Sequence, residues 1–242
     1  MAVMTLGGTL KDVSPSLPGT IVVRPPTTGP WFDVPKAAEF RKAAFPPTAS
    51  QSPTVYMLDL NSVYPVADVL QEYVVTLARE VRDGVHGPVS LVVDTRNLSI
   101  RHQLEYLAGT YQLPLFLASP QSPLSVAEAE PAGLTPSESE ALEMVAEMGG
   151  RITAPALAKR LRLQHTAALN RLTPLVEKGF LYRKRRPGRT PDLFGDPRFP
   201  DAGEVAERIL DATKTELPAA EQETLASHLR DHRAVESLPD HF

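Results

Sequence analysis

The sequence predicts a mixed α/β chain: a small strand–helix module followed by three short helices, a basic hairpin and C-terminal helices. Three observations predict this fold class. Strand-length apolar runs alternate with helically spaced segments in residues 54–118. Residues 134–178 hold three amphipathic segments separated by helix stop signals. A run of arginines then lies between two short apolar segments of strand length.

The composition excludes several classes of protein. The chain has 242 residues, 42% of them hydrophobic, which is enough to bury the cores of two ordinary domains. Because it contains no cysteine, it forms no disulfide, thiolate zinc site or catalytic thiol. No apolar run reaches the roughly 18 residues of a membrane span, and no signal segment is evident. We therefore expect a cytoplasmic protein without a membrane partner.

The first half divides into an arm and a small α/β module. Residues 1–52 are rich in proline and predict an irregular arm, in which the β-branched residues 20–23 favour an edge strand. Residues 53–119 predict a strand–helix–strand–helix–strand module, with a parallel or mixed sheet covered by helices. Its elements are expected, in order, at residues 55–60, 65–82, 89–93, 100–111 and 115–117. The acidic, Pro/Ser-rich residues 120–133 predict a linker.

The charge of the chain is strongly asymmetric. Residues 151–189 contain eleven Lys or Arg and a single acid, Glu177, which is a balance of +10 within a chain of net charge −4. The remaining residues carry 14 basic and 28 acidic side chains. An acidic protein with one strongly basic segment is compatible with nucleic-acid binding through that segment.

Residues 134–198 carry the signals of three successive helices and a hairpin. Thr135 can cap the first helix, with Glu138 three residues later, and Thr153 can cap the second. The third begins near Gln164 and buries one apolar face. That face consists of Ala168, Leu172, Leu175 and Val176, at helical spacing. Gly179 ends the helix, and the following hairpin bears five cations. A winged helix-turn-helix has this order of elements.

The opposite face of the third helix and the hairpin are the predicted contacts with DNA. Asn170 and Arg171 are residue types that make bidentate contacts with adenine and guanine edges in the major groove. The helix N-terminus and the cationic hairpin suit bases and phosphates. The predicted set is Gln164, His165, Thr166, Ala167, Asn170, Arg171, Arg183, Lys184, Arg185, Arg186 and Arg189.

The segment "LNRLTPLVEKGFLYR" followed by "GRTPDLF" resembles the winged helix-turn-helix of bacterial transcriptional regulators of the MarR and ArsR type. The resemblance covers residues 134–197, about a quarter of the chain, and implies that the third helix lies in the major groove. Four positions depart from the pattern. Arg162 stands where such domains often have Gly, and Gln164 replaces the usual Ser or Thr cap. Leu169 stands where many relatives have a polar residue, and Pro174 falls inside the third helix.

The α/β module offers one candidate chemical site. Asp59 and Asp94 end two predicted strands, and carboxylates at the carboxyl edge of a sheet can hold Mg²⁺. Capping of the following turns explains the same residues and is the favoured interpretation. No phosphate-binding glycine loop, nucleophile elbow or catalytic triad accompanies them. We therefore expect no catalytic residues, no metal and no cofactor.

Together these features predict a sequence-specific regulator of transcription that binds duplex DNA. The α/β module is expected to bind a protein or small-molecule effector, or to mediate dimerisation. Residues 199–242 predict two amphipathic helices, and we expect a homodimer that contacts two half-sites. Two alternatives remain at this stage: a protein-interaction adaptor built on the winged helix, and a metal-dependent nuclease or phosphotransferase that uses Asp59 and Asp94.

Overall fold

A computed structural model describes residues 20–45, 53–119, 126–188 and 190–199. The first part of the chain comprises β1 (Thr20–Val23), β2 (Gly29–Trp31), α1 (Val34–Ala44), β3 (Thr54–Asp59), β4 (Val63–Pro65), α2 (Ala67–Leu70), a π-helical segment (Gln71–Val75), α3 (Thr76–Arg82), β5 (Val89–Asp94), α4 (Leu98–Tyr111), β6 (Leu115–Leu117) and β7 (Glu130–Ala132). The second part comprises α5 (Pro136–Glu147), β8 (Arg151–Thr153), α6 (Ala154–Arg160), α7 (His165–Glu177), β9 (Tyr182–Lys184) and β10 (Leu193–Gly195). The predicted mixed α/β class is confirmed. The expected C-terminal helices lie outside the described residues.

The centre of the first part is a five-stranded sheet with the order β1-β3-β5-β6-β7. The first four strands are parallel, and β7 pairs antiparallel with β6. The long apolar runs of β3 and β5 are typical of strands buried on both faces. A separate pair of short parallel strands, β2 and β4, completes this part.

The sheet takes strands from both segments that the sequence analysis placed outside the α/β module. β1 comes from the predicted arm and pairs in register with β3, from Thr20 opposite Val55 onward. β7 comes from the predicted linker, and Arg101 of α4 fixes it by donating hydrogen bonds to Glu130 at 2.7 Å and to the Ala118 carbonyl at 2.8 Å. Residues 20–23 therefore form the edge strand that their β-branched composition favours, whereas the short β7 leaves little signal in sequence because its stability comes from a distant partner.

One face of the sheet is covered by helices. The connections from β1 to β3, β3 to β5 and β5 to β6 each step to the neighbouring strand in the same direction, so crossovers of one hand carry their helices to one face. The core on that face joins Tyr56, Leu58, Leu91, Val93 and Leu117 of the sheet to buried residues of α1 to α4.

The second part of the chain, α5 to β10, is called the winged part below, and it covers the opposite face of the large sheet. Sheet residues that alternate with the first set pack into one core with α5, α6, α7 and β10. These sheet residues are Val55, Met57, Val92, Phe116 and Ala118. At the end of α7, a Cβ on Gly179 would lie 3.1 Å from the Arg82 Cα and 3.3 Å from the Pro114 Cγ, so the backbones meet closely there. The two parts therefore share a core. Among the described residues, no helix is long and apolar enough to cross a membrane.

Candidate nucleic-acid interface

The first helix of the winged part, α5, is stabilised by a capping box at its start and by an ion pair with the end of α7. Thr135 and Glu138 form a capping box: the Thr135 amide donates to the Glu138 carboxylate at 2.9 Å, and the Glu138 amide donates to the Thr135 hydroxyl at 3.4 Å. Lys178, at the end of α7, contacts the same carboxylate at 2.7 Å. Burial raises the Glu138 pKa, but the hydrogen bonds from Lys178 and Thr135 outweigh it, and the pKa lies below its ordinary value.

α6 and α7 form the helix-turn-helix, joined by a tight turn. Thr153 caps α6 with its hydroxyl, which accepts from the Ala156 amide at 3.4 Å. In the turn, Arg162 has a left-handed backbone with φ of 53°, and the Leu163 amide donates to the Ala158 carbonyl at 2.8 Å. Gln164 is the N-cap of α7 but makes no side-chain cap bond. The Gln164 side chain therefore does not occupy the backbone amides at the start of α7.

The third component is a three-stranded sheet with the order β8-β10-β9. Phe194 of β10 lies opposite Ile152 of β8 and Arg183 of β9, and it is buried. A Cβ on Gly195 would lie 2.3 Å from the Tyr182 ring, so glycine is required where β9 and β10 meet. β9 and the residues that join it to β10, residues 182–192, are called the wing below.

The structure divides the predicted contacts of α7 into two groups. Gln164, His165, Thr166 and Asn170 are exposed. Ala167 and Arg171 are half-buried. The Arg171 guanidinium forms an ion pair with the Glu140 carboxylate of α5. The exposed group thus forms the free polar surface of this helix.

The cations of the hairpin also differ from one another. Arg183 donates to the Asp192 carboxylate at 2.7 Å and lies over the Phe194 ring, 5.6 Å from its centroid. The hydrogen bond from Arg183 holds the Asp192 pKa below its ordinary value. Lys184, Arg185 and Arg186 are exposed and form no ion pair with another described residue. Arg189 lies outside the described residues.

Sequence reasoning missed the acidic partners in this region. Glu140 and Asp192 neutralise Arg171 and Arg183, which the sequence presented as free cations. Helical spacing identifies the face of α7 that carries Arg171, but it does not indicate that α5 approaches that face. Asp192 lies nine residues from Arg183, and residues at this separation can face each other across a hairpin. The pairing of Arg183 with Asp192 could therefore have been predicted from the sequence.

The carboxyl edge of the large sheet brings Asp59 and Asp94 together as register partners. Arg24 donates to Asp59 at 2.9 Å, and Asn61 donates to it at 3.0 Å. Burial raises the pKa of Asp94, as does the nearby charge of Asp59. Among the described residues, no group of three His, Asp or Glu side chains is placed to hold a metal ion.

Comparison with known proteins finds a similarity for the second part of the chain. A model described as the MarR family matches residues 132–189, about a quarter of the chain. Among curated proteins and among solved structures, no significant match to the chain is found. The matched segment contains the last residue of β7 together with α5, β8, α6, α7 and β9. Residues 132–189 are therefore similar to the winged-helix segment of the MarR family.

Proposed function

We propose that the protein binds duplex DNA through α7 and the wing and thereby regulates transcription. The observation that carries this proposal is the placement of the winged part. Its apolar side is buried on the large sheet, while its exposed side holds the polar start of α7 and the cationic hairpin. A major groove is wide enough to admit one helix, and phosphates flank it on both sides.

The exposed residues of α7 have the chemistry of base recognition. The Asn170 amide can pair with the two hydrogen-bonding positions of an adenine edge. Gln164, His165 and Thr166 lie in the first turn, where residues of a recognition helix reach bases and phosphates. The backbone amides of that turn favour an anion, because the helix dipole places positive charge there. Arg171, whose charge is paired with Glu140, contributes less to DNA binding than the exposed residues in this proposal.

The wing supplies binding energy that is independent of sequence. Lys184, Arg185 and Arg186 are exposed and clustered, and each phosphate they neutralise releases a counterion. The Arg183–Asp192 pair links the two ends of the wing. The role of the wing is therefore to position the protein on the backbone, whereas α7 distinguishes base pairs.

The α/β unit serves assembly or effector binding in this proposal. A single winged helix offers a small contact area, and a homodimer would engage two half-sites about one helical turn apart. The α/β unit shares a core with the winged part, so a ligand or partner on that unit acts on a rigidly connected recognition helix. An effector of the DNA affinity would bind to this unit.

The test is binding of the whole chain to a fluorescent random-sequence duplex at 50 and 200 mM salt, followed by selection of enriched sites. The triple variant Lys184→Ala, Arg185→Ala, Arg186→Ala should weaken binding to all sequences and lower the salt slope by about 2 to 3, at about 0.9 per phosphate contact. The control removes cations on the opposite side of the large sheet, with Lys36→Ala and Lys42→Ala in α1. Equal binding by wild type and triple variant, or no binding by either, contradicts the proposal.

A further inference from the structure

Five helices within the described residues end in the same way. In each, a left-handed residue follows the helix, and the next amide donates to a carbonyl five residues earlier. These bonds join Val85 to Glu80, Leu113 to Ala108, Gly150 to Val145, Leu163 to Ala158 and Phe180 to Leu175, at 2.8 to 3.1 Å. The left-handed residue is glycine at three of these ends: Gly84, Gly149 and Gly179, with φ between 74° and 82°. At the other two it is Gln112, with φ of 50°, and Arg162, with φ of 53°.

Arginine is an energetically unfavourable residue at the left-handed position 162. A side chain with a Cβ is strained in the left-handed region, whereas glycine is not. The Arg162 side chain is exposed and forms no ion pair or hydrogen bond with another described residue, so contacts within the described chain do not offset the strain. Gln112 carries the same strain without a charge, so the strain indicates a role for Arg162 only together with its charge and its place beside α7.

The surroundings of Arg162 indicate what its side chain binds. It lies in the turn between α6 and α7, directly before the exposed N-terminal turn of α7. Lys159 and Arg160, in the last turn of α6, are also exposed and form no ion pair with a described residue. Favourable interaction with the helix dipole explains those two cations. It does not explain Arg162, since a glycine would end the helix at lower cost.

We propose that Arg162 binds a backbone phosphate of duplex DNA beside the start of α7. This inference rests on the proposed function and adds a contact absent from the predicted set. With Lys159 and Arg160 beside it, the turn would form a second phosphate-binding surface. Arginine suits the role because its planar guanidinium can bind a phosphate through two donors.

The experiment compares Arg162→Gly with Gln112→Gly in the whole chain. Both substitutions relieve the same backbone strain in the same type of helix end, so the urea midpoint of each variant should equal or exceed that of wild type. Only Arg162→Gly should weaken DNA binding. Losing one phosphate contact lowers the salt slope by about 0.9 and the affinity at 50 mM salt by about threefold or more. Arg162→Lys should retain most of the salt slope because it keeps the charge.

The outcomes separate this inference from the function on which it rests. If wild type binds DNA with a steep salt dependence and Arg162→Gly binds equally well, the phosphate contact is refuted while the proposed function stands. If Gln112→Gly weakens binding as much as Arg162→Gly, the effect belongs to backbone rigidity, and the contact is again refuted. If wild type does not bind DNA at 50 mM salt, both proposals fail.

Discussion

Phe116 of β6 meets Phe180, which follows α7, edge to face with ring centroids 5.2 Å apart. Both side chains are almost completely buried. The Arg198 guanidinium stacks on Phe116 at 3.9 Å and donates to the Ala129 carbonyl at 2.7 Å. Its charge is compensated by Asp196, whose carboxylate accepts at 2.7 Å. Phe116 is thus a central contact between the large sheet and the winged part.

Replacing Phe116 with Ala should destabilise the whole chain. We expect a loss of about 3 to 5 kcal/mol in the free energy of unfolding, the usual cost of removing a buried phenylalanine. Because the two parts share a core, urea unfolding followed by far-ultraviolet circular dichroism and by Trp31 fluorescence should show one coincident transition. The matched control is Phe32→Ala, since Phe32 is 69% exposed. Two separate transitions in wild type would contradict the shared core.

Arg171 should matter less to DNA affinity than the cations of the wing. Glu140 already neutralises it, so Arg171→Ala should weaken binding less than Arg185→Ala does. Removing the competing carboxylate with Glu140→Gln frees the guanidinium, and we expect binding to tighten severalfold at low salt. Fluorescence anisotropy with one duplex measures all three variants. A larger loss for Arg171→Ala than for Arg185→Ala would identify Arg171 as a reader of bases.

Glu138 should contribute stability that depends on pH. Its folded pKa is depressed, so its contribution is fully present above the unfolded value of about 4.3 and is lost as pH falls through the folded value. Glu138→Gln should cost about 1 to 2 kcal/mol at pH 7, because it removes the charged contact with Lys178 although a glutamine can still complete the capping box. The difference from wild type should shrink as pH falls below 4.

The control for Glu138 is Glu143→Gln, on an exposed position of the same helix. Urea unfolding at pH 7, 5 and 3 follows all three proteins. A difference between Glu138→Gln and wild type that stays constant over this range would show that the carboxylate charge of Glu138 is not the stabilising feature.

Asp94 should have the opposite effect to Glu138 on the pH dependence of stability, because its pKa is raised rather than lowered. Burial and the neighbouring Asp59 raise its pKa, while Asn61 and Arg96 oppose the shift. A raised folded pKa means that the protonated form favours folding. The ionised form therefore costs stability at neutral pH, and the cost disappears below the unfolded pKa of about 3.9. Asp94→Asn should raise the thermal midpoint at pH 7 and have little effect at pH 3.

The comparison for Asp94 is Asp59→Asn, which weakens the contact with Arg24. We expect this variant to lower or leave unchanged the midpoint at pH 7, although it removes the same charge from the same sheet edge. A lower midpoint for Asp94→Asn at pH 7 would show that the Asp94 carboxylate makes a stabilising contact in its ionised form.

The sequence predicts those parts of the fold whose signal is local. The apolar run of β3, the capping box at Thr135 and the apolar face of α7 each depend on residues close together in the chain. The contact between Phe116 and Phe180 joins residues far apart in sequence, and an apolar strand shows that it is buried without showing what covers it. For the same reason, the pairing of Arg171 with Glu140 was not predictable from helical spacing alone.

The closure of the large sheet by the winged helix determines what a fragment of this chain can do. A cut before Thr135 would leave Phe116 and Met57 in water on one piece, and Phe180 and Leu172 in water on the other. Each piece would then carry an open apolar surface and would self-associate. The recognition unit is therefore not portable: grafted alone onto another protein, it would need a substitute for the sheet on which it rests.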